Sequence, residues 1–121
     1  MDSAKHMEAQ LIDMPRFVER MEGDRELILE VFEVFMEEVP ERRGKFEKAL
    51  TAMDLGALTM LAHALKGASG TLQAELLREA CSELEKAGRA GDADSVREVA
   101  PKVIALLGET AARMLELKAT V

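Results

Sequence analysis

Residues 55–72 read Leu55-Gly56-Ala57-Leu58-Thr59-Met60-Leu61-Ala62-His63-Ala64-Leu65-Lys66-Gly67-Ala68-Ser69-Gly70-Thr71-Leu72. Apolar residues recur at three- and four-residue spacing, the period of a helix with one buried face. On a wheel of about 100° per residue with His63 at zero, Leu58, Leu61, Leu65, Ala68 and Leu72 fall within roughly 40° of the opposite pole. That pole is the core side, so His63 points to solvent. Gly56, Thr59, Met60, Lys66, Gly67 and Gly70 lie within roughly 60° of the histidine. Three glycines on an exposed helical face cost about 1 kcal/mol each relative to alanine. The residues alone leave two readings open. One is a surface cleared so that something large can approach the imidazole, with Lys66 one turn on as a countercharge for a phosphoryl group. The other is a solvated histidine and lysine beside helix-weakening glycines.

Helical periodicity extends outward from this stretch in both directions, and no segment alternates like a strand. Asp13 followed by Pro15 announces a short first helix that stops near Gly23. Asp24 caps a long second helix to about Met53, with a core ladder of Leu27, Val31, Phe35, Val39, Phe46, Leu50 and Met53. Pro40 lies inside it and a kink is expected there. Asp54 caps the third helix, 55–71. A fourth starts near Ala74 and ends between 88 and 91, with Leu76, Leu77, Ala80, Cys81 and Leu84 inward. Asp92 or Asp94 caps the last helix, whose stripe is Val96, Val99, Val103, Leu106, Leu107, Thr110, Met114 and Leu117, with a bend expected at Pro101. The fold class is all-α: an antiparallel four-helix bundle over residues 8–121 with a short extra N-terminal helix. Residues 1–7 read as a cloning remnant or a disordered N-terminus, and His6 is given no role.

Composition excludes several functions. The chain has 121 residues, 48% hydrophobic and 32% charged, enough apolar material for one core. A net charge of −7 argues against a nucleic-acid groove, and against attraction to anionic lipid. With no Trp or Tyr and the four Phe confined to 17–46, no stacking platform for single strands exists. Apolar runs are too short to span a membrane, and the N-terminus lacks a signal peptide's apolar stretch. The single cysteine, Cys81, reads as a small core residue and fits a reducing compartment, so a cytoplasmic location is expected. Glycine-rich phosphate loops, HExxH and paired Glu-x-x-His units do not occur, and two histidines with one cysteine supply no zinc site.

The hairpin after the histidine helix adds a candidate partner. If the third and fourth helices turn near Leu72-Gln73-Ala74, the mirror of His63 about residue 74 is Glu85. A carboxylate there can accept from Nδ1–H and fix the tautomer that leaves Nε2 unprotonated and nucleophilic. Alternatively Glu85 is one more solvated acid in Glu83-Leu84-Glu85-Lys86.

The run Ala62-His63-Ala64-Leu65-Lys66-Gly67-Ala68-Ser69-Gly70 resembles the His-x-x-Lys-Gly signature of histidine-containing phosphotransfer (HPt) domains. Ala74-Glu75-Leu76-Leu77, Leu84-Glu85, Phe35 on the long second helix and Asp54 before the histidine helix are similar too. The resemblance spans about residues 11–118. It implies a phosphorelay intermediate that exchanges a phosphoryl group with the aspartate of a receiver domain. On that pattern His63 matches the phosphoacceptor, Lys66 the phosphate-stabilising cation, Glu85 the residue that orients the imidazole, and Gly67 the small residue permitting receiver access. The family usually has glycine where Gln73 stands; a left-handed turn there costs glutamine about 1–2 kcal/mol.

The partners so implied are a response-regulator receiver or a hybrid histidine kinase. The domain is expected to be a carrier and substrate rather than an enzyme, with no cofactor of its own. It offers no carboxylate cluster for Mg²⁺, so the metal is expected to arrive with the receiver. The second helix carries an apolar arc of roughly 200°, against about 100° that packing requires. Phe32, Met36 and Met60, with Gly67, Gly70 and Thr59, are therefore candidates for a partner patch; the extra arc serves equally to bury the first helix through Phe17 and Met21. Two other functions stay open: the phosphoacceptor domain of a chemotaxis-type kinase, and a helical adaptor that transfers nothing.

Overall fold

The computed structural model describes Glu8 and residues 10–121, so the expectations for residues 1–7 lie outside the described residues. From Met14 onward five helices follow one another: α1 Met14–Arg20, α2 Arg25–Thr51, α3 Leu55–Thr71, α4 Glu75–Arg89 and α5 Ala93–Lys118. No strand occurs among the described residues. Four of the five starts are capped by an aspartate whose carboxylate accepts a backbone N–H three residues on. The pairs are Asp13 with Arg16, Asp24 with Leu27, Asp54 with Ala57 and Asp92 with Ser95, at 3.2, 3.1, 3.0 and 3.1 Å. Only α4, which starts after Ala74, lacks a side-chain cap. Helices α2 and α5 run unbroken through Pro40 and Pro101, both of which face solvent.

The ends of α2, α3 and α4 share one geometry. Met53, Gln73 and Gly91 adopt left-handed φ of 49°, 57° and 69°. Their N–H groups donate to Leu50, Gly70 and Gly88 carbonyls at 3.0, 3.2 and 3.1 Å. The next residues, Asp54, Ala74 and Asp92, donate to Ala49, Ser69 and Ala87 carbonyls at 2.9, 2.9 and 3.0 Å. This is the paired closure that reverses a chain at a helix C-terminus, and each reversal hands directly to the next N-cap. Connections this short leave consecutive helices as antiparallel neighbours. Gln73 thus occupies the left-handed position without glycine's freedom. Its carbonyl accepts the Asp13 N–H at 3.0 Å, tying the entry of α1 to the α3–α4 turn.

The most extensive packing is α3 on α4, followed by α4 on α5 and α5 on α2, with α2 on α3 looser than these. The core holds Phe35, Phe46, Leu58, Leu65, Leu77, Leu84, Val103, Leu107 and Met114. Cys81 is buried among them, and that burial pushes its thiol pKa up to about 12.

Two parts of the expected ladder are displaced. On α2 the inward residues of the first turns are Ile28 and Phe32, while Leu27 is exposed and Val31 half-buried. The cause is α1, whose Phe17 stacks on Phe32 with ring centroids 5.4 Å apart and planes 10° from parallel. On α3 the buried stripe is Leu58, Ala62, Leu65, Ser69 and Leu72, with Leu61 and Ala68 only half-buried. Ala62 and Ser69 lie on the same side of the wheel as Thr59 and Lys66, which places close packing on the α4 flank.

Candidate functional site

His63 stands on the outer face of α3 with 65% of its side chain exposed. Its Nδ1 lies 2.7 Å from Glu85 Oε2. Glu85 projects from α4, one hairpin away, and its carboxylate is buried with 4% exposure. Lys66 Nζ donates to Oε1 of the same carboxylate at 2.5 Å. Arg89, one turn along α4, brings its guanidinium Nη2 to 2.7 Å from Oε2. One buried acid therefore gathers three basic groups.

That arrangement sets the protonation pattern. The Lys66 hydrogen bond, with those from His63 and the Arg89 charge, holds the Glu85 carboxyl below the usual carboxylate range, against the opposing effect of burial. An ionised carboxylate only accepts, so the 2.7 Å contact is an Nδ1–H donating to Oε2. In the neutral ring the remaining lone pair is then on Nε2, the nitrogen turned away from Glu85. The site can present a nucleophilic nitrogen to solvent while two cations share the carboxylate that holds its ring.

The other expected residues divide. Gly67 is exposed, and a Cβ built there meets nothing within 4 Å. Gly70 is half-buried beside Arg78, whose Cδ would lie 3.8 Å from such a Cβ. Met60 is 74% exposed, the most open large apolar side chain among the described residues. Met36 is half-buried against the core. Thr59 is half-buried and donates its hydroxyl to the Leu55 carbonyl at 2.7 Å, which turns it away from the approach surface. Phe32 is a correction: it is fully buried under Phe17 and cannot line a partner patch. The surplus apolar arc of α2 covers α1 on that side. Arg89 escaped the sequence reading although its i+4 spacing from Glu85 on a helix was available as a signal.

Beside the Met60 and Gly67 flank, the loose α2–α3 seam opens into two shallow apolar grooves. One, of about 440 Å³, is lined by Val34, Phe35, Ala68 and Leu72. The other, of about 390 Å³, is lined by Ala49, Ala57, Met60 and Leu61. Among the described residues no group of three or more His, Cys, Asp or Glu is placed to hold a metal ion. None of their helices is long and apolar enough to cross a membrane.

Comparison with known proteins agrees with this fold. The fold is similar to the HPT domain of an Hpt sensor hybrid histidine kinase from Shewanella, at 17% identity and a TM-score of 0.82, covering 93% of this chain and 97% of that one. It is equally similar to histidine-containing phosphotransfer protein B from Pseudomonas aeruginosa PAO1, at 22% identity and a TM-score of 0.82, covering 92% and 96%. None of the curated proteins matches the sequence. The family model of the Hpt domain matches residues 30–119, a span that contains His63, Lys66, Gly67 and Glu85. The chain belongs to the Hpt domain family, whose members are histidine phosphotransfer intermediates of phosphorelays.

Proposed function

We propose that His63 is the residue that carries the phosphoryl group, on Nε2, and that it exchanges it with the aspartate of a receiver domain. Nε2 attacks the phosphorus of an aspartyl phosphate in line; a P–N bond forms, the P–O bond breaks, and the aspartate leaves as a carboxylate. The observation that carries this reading is the 2.7 Å contact between Nδ1 and buried Glu85, which holds the proton on one nitrogen and leaves the other free and exposed. Lys66 supplies countercharge to the phosphoryl oxygens from a position one turn beyond the ring. Gly67 and Met60 form the near edge of the surface the receiver meets, with Gly70 and Met36 flanking it. Any Mg²⁺ comes with the receiver, because Glu85, the carboxylate at this site, is already engaged by Lys66, His63 and Arg89. The domain acts as carrier and substrate, and turnover belongs to its partners.

The test is to phosphorylate the protein with a phosphorylated receiver domain and locate the P–N bond by phosphorus–nitrogen NMR. The expected product is phosphate on Nε2 of His63. Phosphate on Nδ1 would contradict the tautomer assigned to Glu85, and binding with no phosphate gained would leave only an adaptor.

A further inference from the structure

The distance between α3 and α4 at the site has a physical cause one turn away from it. Gly88 follows Glu85 by three residues on α4, and Thr59 precedes His63 by four on α3. A Cβ at Gly88 would lie 2.0 Å from Thr59 Oγ1, and 3.3 Å from both Thr59 Cβ and the Leu55 carbonyl oxygen. Ordinary contact begins near 3.4 Å, so the closest of these is short by roughly 1.4 Å. The Thr59 hydroxyl is not idle there. It donates to the Leu55 carbonyl at 2.7 Å, and this bond parks Oγ1 in the notch that the missing side chain of Gly88 leaves. Rotating the hydroxyl away forfeits that bond, whereas the Thr59 Cβ and the Leu55 carbonyl, each at 3.3 Å, are within about 0.1 Å of ordinary contact, so the clash is essentially with the hydroxyl. The two helices therefore meet closely at this point because one carries no side chain.

Glu85 has a short reach. Its carboxylate meets Nδ1 at 2.7 Å and Lys66 Nζ at 2.5 Å across the same seam. A helix displaced by an ångström at Gly88 withdraws the carboxylate a single turn upstream. Resting on the reading of His63 as a phosphoacceptor oriented by Glu85, we propose that Thr59 and Gly88 form a spacer that sets the α3–α4 separation at which Glu85 reaches the imidazole. Gly88 is a positioning residue: it touches neither the phosphoryl group nor the reacting nitrogen.

The experiment compares wild type, Gly88→Ala, Thr59→Ala and the double variant by imidazole nitrogen NMR and by transfer from a phosphorylated receiver. Gly88→Ala is expected to lower the Nδ1–H share of His63 and to slow transfer by about tenfold or more, as an ångström-scale misplacement of catalytic geometry does. Thr59→Ala added to it is expected to restore the wild-type tautomer and most of the rate. Gly88→Ala with unchanged tautomer and rate overturns the proposal. If Gly88→Ala does not fold, the double variant decides: a folded protein with the wild-type tautomer supports the spacer, and one that stays unfolded or keeps the altered tautomer overturns it. The tautomer readout separates this proposal from the function it rests on. A wild-type protein that gains no phosphate refutes the acceptor assignment, while the nitrogen spectra still report on the spacer.

Discussion

Replacing Gly67 with glutamine is expected to move stability and function in opposite directions. Gly67 sits inside α3, exposed, with no atom within 4 Å of where a Cβ would be. Nothing in the fold requires the glycine, so a helix-forming side chain gains about 0.5–1 kcal/mol by reducing the freedom of the unfolded chain. For a domain of this size that corresponds to a rise in Tm of about 2–5 °C. The same side chain stands about 40° from His63 on the helical wheel and one turn along, on the flank where a receiver must bring its aspartate to Nε2. Transfer is expected to fall at least tenfold with Lys66 and Glu85 untouched, since reacting atoms must close to about 3–3.5 Å. Calorimetry and the rate of phosphate uptake from a receiver, measured on the same preparation, give the two numbers. A normal transfer rate would refute the cleared approach surface. An unfolded Gly67→Gln protein would refute the orientation of α3.

Three further outcomes follow from the site and its turn. Lys66→Ala is expected to slow transfer by up to about fivefold and shorten the lifetime of the phosphohistidine, the scale of one partly solvated charge; unchanged rates and lifetime reduce Lys66 to a structural partner of Glu85. Glu85→Ala removes the acceptor of Nδ1–H, so the nitrogen NMR of His63 is expected to show the proton redistributed toward Nε2, and an unaltered tautomer ratio would mean the carboxylate does not orient the ring. Gln73→Gly relieves a left-handed residue at φ 57°, worth about 1–2 kcal/mol, less the extra freedom glycine gives the unfolded chain. A net gain of about 0.5–1 kcal/mol in urea denaturation is the expected result, and a loss would show that the Gln73 side chain contributes more than its backbone costs.

Short-range chemistry made most of the fold legible. Asp13, Asp24, Asp54 and Asp92 each cap a helix within three residues of themselves, so the starts could be read locally. The pairing of His63 with Glu85 was legible for a related reason: a turn of only a few residues makes antiparallel register a matter of counting. Phe32 was illegible because the apolar arc of α2 is broader than one contact needs. Only the stacking of Phe17 decides which part is covered. The displacement of the α3 stripe from Leu61 and Ala68 to Ala62 and Ser69 has the same character. It depends on how near α4 can come, the separation proposed above to be set by Thr59 and Gly88. The counting that found Glu85 also brings Thr59 close to Gly88 and Arg89, but a glycine offers no chemistry to attract attention, and Arg89 becomes meaningful only once Glu85 is seen to be buried.

Every role proposed for this site depends on His63 as the acceptor. The direct measurement is phosphate uptake by wild type and His63→Gln from a radiolabelled phosphorylated receiver, with circular dichroism on both proteins. Because the His63 side chain is 65% exposed, the substitution is expected to leave the bundle folded. Acid-labile phosphate is expected on the wild type and none on the variant. A folded His63→Gln protein that takes up the same acid-labile phosphate would contradict the acceptor assignment.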